Sequence, residues 1–116
     1  MALSYPELTP LSNVITGCAI EVHRELGPGL LESIYEECLE VELHDAGFAV
    51  ARQRQIPVVY KKRKLSSFYR CDLIVDELIM IEVKAADAVL GVHSAQLLTY
   101  MRLSGFKLGF LFNFNS

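Results

Sequence analysis

The stretch YRCDLIVDELIMIEVKAA, residues 69–86, decides how this chain folds. Apolar residues run through both halves, yet Asp72, Glu82 and Lys84 stand inside those runs, where a charge is costly. Side chains of a strand alternate between faces, so in the second half Ile79, Ile81 and Val83 share one face and Met80, Glu82 and Lys84 the other. In the first half Leu73 and Val75 share a face, and Asp72 and Ile74 the other. A two-residue turn at Asp76-Glu77 would pair Val75 with Leu78 and send Asp72 and Glu82 to opposite sides of the sheet. A three-residue connection, or one bulge, pairs Val75 with Ile79, Leu73 with Ile81 and Asp72 with Glu82. Only the second register collects Leu73, Val75, Ile79, Ile81 and Val83 on one apolar face, and it is the register expected.

Two carboxylates facing each other across a hairpin repel unless a cation lies between them. Carboxylate oxygens without Cys or His neighbours suit a hard ion, Mg²⁺ or Mn²⁺, that keeps several waters, and the main-chain carbonyl of Val83 offers one further oxygen. Lys84 beside them is placed to orient or deprotonate an attacking water, or to offset charge developing on a phosphoryl oxygen. Taken singly, Asp72 also reads as a strand-end residue bonding a loop amide, and Glu82 with Lys84 as a polar edge face.

Upstream of the hairpin, Thr9-Pro10 reads as a helix N-cap and first helical position. Leu11, Val14, Ile15, Cys18, Ala19, Val22 and Leu26 then recur at three- and four-residue steps until Gly27-Pro28-Gly29 stops the helix. A second helix is expected over Leu30–Ala46, with Leu31, Ile34, Tyr35, Cys38, Leu39 and Leu43 as its buried stripe and Gly47 as its stop. At about 100° per residue, Glu37 and Glu40 point to water, Glu36 lies outside the apolar arc, and Glu32 falls on its border. Glu32 is the acid of this helix best placed to reach an interior cleft. Strands are expected at Ile56–Tyr60, Phe68–Val75 and Leu78–Lys84, a third helix at Val92–Ser104 and a last strand at Lys107–Phe114. The helix between the third and fourth strands implies a right-handed crossover that makes them parallel. On the third helix Gln96 and Tyr100 lie at i and i+4, hence on one face, where they could contact a phosphate or a metal-bound water or simply close the helix over the sheet.

At 116 residues and 52% apolar content the chain suffices for one core, so a single domain over 1–116 is expected, with 1–9 as a flexible tail. There is no basic segment followed by an apolar one at the N-terminus, and no apolar run near the roughly 20 residues of a membrane helix, so the expectation is a cytoplasmic protein with no membrane contact. Cys18, Cys38 and Cys71 are widely spaced and read as small core residues rather than disulfides or zinc ligands. The net charge of −3 hides an asymmetry: residues 1–45 carry nine acids and one base, residues 46–71 seven bases and no acid. Those bases, Arg52, Arg54, Lys61, Lys62, Arg63, Lys64 and Arg70, form a candidate phosphate track, although a basic run at a hairpin tip also reads as a solvated turn.

With these residues in place the sequence resembles the PD-(D/E)XK nuclease-like superfamily, and within it the GxxExxY proteins. The name-giving motif stands as Gly29-Leu30-Leu31-Glu32-Ser33-Ile34-Tyr35. The resemblance also rests on His23, Leu26-Gly27-Pro28-Gly29, Arg70-Cys71-Asp72, Glu82-Val83-Lys84-Ala85, Gln96-Leu97-Leu98-Thr99-Tyr100, Gly109 and Asn113-Phe114, and it spans about Asn13–Phe114. The proline that often precedes the first Asp is replaced here by Cys71. The resemblance implies an α/β (α+β), restriction-endonuclease-like α-β-β-β-α-β core with a mixed four-stranded sheet. It further implies Asp72 and Glu82 as metal ligands, Lys84 as catalytic lysine, Glu32 as the helical acid completing the site, and Gln96 with Tyr100 as the helix motif of RecB-like nucleases. The expected activity is Mg²⁺- or Mn²⁺-dependent hydrolysis of phosphodiester bonds in DNA or RNA. The alternative is a non-catalytic nucleic-acid-binding or assembly module that keeps the fold, in which a homodimer or protein partner supplies the surface that so small a domain lacks.

Overall fold

The central hairpin takes the three-residue connection. In a computed structural model describing residues 9–87 and 91–115, Val75 pairs with Ile79, Ile74 with Met80 and Leu73 with Ile81. Asp76 and Glu77 turn the chain with φ of 53° and 55°, and Leu78 N–H closes back on the Val75 carbonyl at 3.0 Å. Asp76 also locks the neighbouring strand, since its carboxylate accepts the Ala49 N–H at 2.9 Å and its own N–H reaches the Ala49 carbonyl at 2.8 Å.

The elements run α1 (Thr9–Leu26), α2 (Glu32–Asp45), β1 (Val50–Tyr60), β2 (Arg63–Val75), β3 (Ile79–Lys84), α3 (Gly91–Ser104) and β4 (Leu108–Asn113). The sheet order is β1-β2-β3-β4, antiparallel except for the parallel β3/β4 pair that the α3 crossover creates. The mixed four-stranded sheet flanked by helices is therefore as expected. Residues 1–8 and the side chain of Thr9, the expected tail and cap, lie outside the described residues. Among the described residues no helix is long and apolar enough to cross a membrane.

Each face of the sheet carries its own core. Leu73, Val75, Ile79, Ile81 and Val83 pack with Ile15 and Val22 of α1 and Leu39 and Leu43 of α2. On the other face Ile74 and Met80 pack with Leu97 and Met101 of α3. Gly109 on β4 permits that second packing, because a Cβ built there would overlap the Met101 sulfur.

Three expectations change. β1 and β2 begin at Val50 and Arg63 rather than Ile56 and Phe68, so they form a long hairpin around the two-residue turn Lys61-Lys62, with φ of 47° and 65°. Paired backbone carries these segments through polar runs that no apolar alternation marks. Val14, Leu31 and Ile34, assigned to buried stripes, are exposed, Leu31 at 71%, because it precedes the first turn of α2 as its extended cap. Glu36, assigned to the polar side of α2, is only 5% exposed: Arg52 and Gln53 of the lengthened β1 reach that flank of the helix.

The spacing of glycine, glutamate and tyrosine in residues 29–35 has a local cause. Gly27 and Gly29 take φ of 68° and 103°, which only glycine adopts at low cost. One turn into α2, the fully buried Tyr35 hydroxyl donates to the Gly27 carbonyl at 2.5 Å and accepts the Leu30 N–H at 3.1 Å, while its ring stacks on Phe114. Tyr35 thus pins the α1–α2 turn and fixes where Glu32 emerges. Tyr35→Phe keeps the ring and leaves both loop groups without this partner, so urea denaturation should show a loss of about 1–3 kcal/mol; an unchanged midpoint would remove the hydroxyl from this account.

Candidate active site

The ladder between β2 and β3 ends at Leu73–Ile81, and side chains take over from there. Val83 N–H donates to Asp72 Oδ2 at 2.8 Å, and Asp72 N–H points at Glu82 Oε1 at 3.4 Å. Asp72 and Glu82 are thereby brought together, each carboxylate on the other strand's backbone. The register sets them opposite each other, and the pleat also breaks here. Tyr69 and Cys71 belong to the cluster under α3 with Ile74, whereas Leu73 and Val75 belong to the α1/α2 cluster. Strict alternation would have kept all four odd-numbered residues on one face. The phase slips at Asp72, between the rungs Arg52–Leu73 and Arg54–Cys71, where the facing Gln53 has a left-handed φ of 52°.

Glu82 is 8% exposed. Burial, and then the Asp72 carboxylate, push its carboxyl up to about 7, against the pull of hydrogen bonds from Tyr69, Cys71 and the Asp72 amide. Burial and the neighbouring Glu82 in turn hold the Tyr69 hydroxyl and the Cys71 thiol protonated. Cys71 is fully buried and its thiol also faces the Leu73 and Ile81 carbonyls, bonds that a proline at this position could not make.

Glu32, in the first turn of α2, accepts the Ala85 N–H at 3.3 Å, which brings it to the end of β3 one residue beyond Lys84. Lys84 is half-buried and, among the described residues, forms no ion pair. Tyr100 of α3 stacks on Tyr69 with ring centroids 3.8 Å apart, and Tyr69 lies close enough to Glu82 to act on its ionisation, so Tyr100 neighbours the carboxylate pair through one intervening ring. Gln96 lies one turn away along the same helix and is exposed.

The seven bases separate into two groups. Arg54 forms a bidentate pair with Glu77 at 2.7 and 2.6 Å, and Arg52 pairs with Glu36 at 3.2 Å and Glu40 at 3.7 Å, so both are matched by carboxylates of the chain itself. Lys61, Lys62, Arg63, Lys64 and Arg70 are exposed and, among the described residues, form no ion pair.

Two residues at the site carry no mark in the sequence. Gln53 Nε2 lies 3.1 Å from Asp72 Oδ1 and 2.9 and 3.0 Å from the two oxygens of buried Glu36. Glu36, Gln53 and Asp72 thus form a relay, with Arg52 compensating its inner end. The one available signal is a glutamine among arginines, which reads as a solvated strand face.

The chemistry of the donors is that of a hard cation. Asp72, Glu82 and the Val83 carbonyl offer oxygens only, and of the two carboxylates Asp72 adds to the burial that disfavours ionisation of Glu82. No group of three or more His, Cys, Asp or Glu that could hold a metal occurs among the described residues, so an ion here would keep much of its water.

A family model described as the PD-(D/E)XK nuclease superfamily matches residues 9–116. The chain belongs to that superfamily. Comparison with curated proteins and with solved structures gives no match. Members of the superfamily typically use divalent metals, in keeping with the oxygen donors gathered around the hairpin.

The raised Glu82 carboxyl has a consequence for metal-free protein. Its folded value of about 7 exceeds the ordinary 4.5, so as pH rises the unfolded chain loses this proton first and stability falls between pH 4.5 and 7. At 1.36 kcal/mol per pH unit the fall is about 3 kcal/mol. Glu82→Gln should remove it. In EDTA, the stability of the variant relative to the parent should increase from pH 5 to pH 8, measured by urea denaturation; parallel pH profiles would contradict the assignment.

Proposed function

We propose that this protein is a metal-dependent nuclease of the GxxExxY group that hydrolyses phosphodiester bonds of DNA or RNA with Mg²⁺ or Mn²⁺. The observation that carries the reading is the contact of two carboxylates at the end of the β2–β3 hairpin, with Lys84 following Glu82 on the same face of β3.

Asp72, Glu82 and the Val83 carbonyl would hold the ion, which when bound would supply Lewis-acid stabilisation of the phosphate and an activated water. The chain's own residues do the rest. Val83 N–H and Gln53 orient Asp72, and the Tyr69 hydroxyl stands beside Glu82. Lys84, without an internal ion pair among the described residues, is free to meet a phosphoryl oxygen or an attacking water. Glu32 at the end of β3 adds a third carboxylate near the entrance. The unmatched bases from Lys61 to Lys64 and Arg70 offer charge to the phosphate backbone.

Purified protein should cleave single- or double-stranded DNA or RNA in Mg²⁺ or Mn²⁺ and not in EDTA. Asp72→Ala and Lys84→Ala should each reduce the rate by at least about 100-fold, the usual cost of losing one electrostatic or acid–base group. Wild-type protein that leaves every substrate intact while still binding it would make the molecule a binding module on a nuclease fold.

A further inference from the structure

The β1–β2 hairpin runs well past the rest of the sheet. β3 pairs with β2 at Leu73–Val75, whereas the β1–β2 ladder continues to Tyr60–Arg63. The first part of this arm is covered by α3, where Ile56 and Tyr69 pack on Leu97 and Met101. Farther out the arm and α3 flank an open, groove-like cavity of about 370 Å³ lined by Val58, Val92, Gln96, Thr99, Tyr100 and Leu103. Its rim holds apolar side chains that a solvated helix has no use for: Val92 is 63% exposed and Leu103 40%.

We propose that this cavity receives an unpaired nucleobase, so that the molecule takes single-stranded or locally unpaired nucleic acid in preference to a duplex. The inference rests on the nuclease reading above and names its substrate class. Three features select this occupant. The cavity falls in the usual range for ligands, about 300–1,000 Å³, and combines apolar walls with a Tyr100 ring, one amide and one hydroxyl, the mixture that a flat heterocycle with polar edges needs. One wall leads toward the carboxylates, since Tyr100 stacks on Tyr69 and Tyr69 neighbours Glu82. At the outer end, three residues beyond Val58, begins the basic run Lys61–Lys64, exposed and unmatched among the described residues. A strand lying from the tip toward Glu82 would meet cations, then the cavity, then the carboxylates. A duplex keeps its bases stacked and would have to flip one out to fill the cavity, whereas a single strand offers them freely.

The test is anisotropy of labelled oligonucleotides in EDTA, where binding is read without cleavage. The probes are one sequence as single-stranded DNA, as single-stranded RNA, as duplex, and as single strands with one abasic position moved along them. Single strands should bind about tenfold tighter than duplex, consistent with one stacked base, and an abasic position at one place should lose that margin. The double variant Val92→Ser/Leu103→Ser, at exposed positions and with charge unchanged, should bring single-strand affinity down to the duplex level. Lys61→Glu/Lys62→Glu should weaken both forms alike. Equal binding of single strand and duplex would overturn the inference alone and leave the nuclease reading to its cleavage assay. Sedimentation showing a dimer that Val92→Ser/Leu103→Ser dissociates would overturn it too, making the cavity a contact between copies. Failure to bind any nucleic acid would likewise overturn the inference, and the nuclease reading would stand or fall on cleavage in Mg²⁺ or Mn²⁺.

Discussion

Asp72 and Glu82 repel one another inside a sheet, and much of the surrounding structure can be understood as the means of keeping them there. The ordinary ladder stops one rung short, and its next hydrogen bond is replaced by one from the Val83 amide to the Asp72 carboxylate. The partner acid is buried and holds its proton up to about pH 7. Gln53 adopts a left-handed backbone to stand opposite the slip, and it is braced by an acid that is itself buried and matched by arginine. Such strain in a non-glycine residue persists only where its surroundings over-determine it, and it clusters at functional sites. Here it lies beside the two acids that most need support.

The charge asymmetry along the chain has a double use. Part of it is spent internally, as α2 acids meet Arg52 and the β2–β3 turn meets Arg54 across the hairpin. The remainder is concentrated on the far half of the β1–β2 arm. An acidic domain can therefore present a local positive surface without carrying net positive charge, because its positive residues are separated by strand position into those that hold the fold and those that face solvent.

The hairpin register, the crossover and the apolar face of the hairpin were legible in the sequence because each follows from a period or a chain length; the second core under α3 was not. Five apolar residues can meet on one face in only one register, and a helix between two strands of one sheet makes them parallel. What escaped depends on neighbours that no period records. An isolated α2 puts Glu36 toward water; it is buried because β1 starts six residues earlier than its apolar pattern suggests and brings Arg52 and Gln53 alongside. The slip at Asp72 was invisible for a related reason. Alternation read from Leu73 and Val75 cannot show that Tyr69 and Cys71 belong to the other face, since both are residues that either face would accept. For the same reason the aromatic contact between Tyr69 and Tyr100, far apart in sequence, gave no sign of itself.

The connection Asp76-Glu77-Leu78 lies at the surface, where loops ordinarily tolerate insertion and deletion. Its length is nevertheless tied to the parity of the whole hairpin. Removing one residue would turn β3 over relative to β2, driving Glu82 and Lys84 into the α1/α2 core and Ile81 and Val83 under α3. Related chains are thus free to vary the identities in this turn but not the count, so an alignment gap at 76–78 would mark a change of fold or the loss of the carboxylate pair.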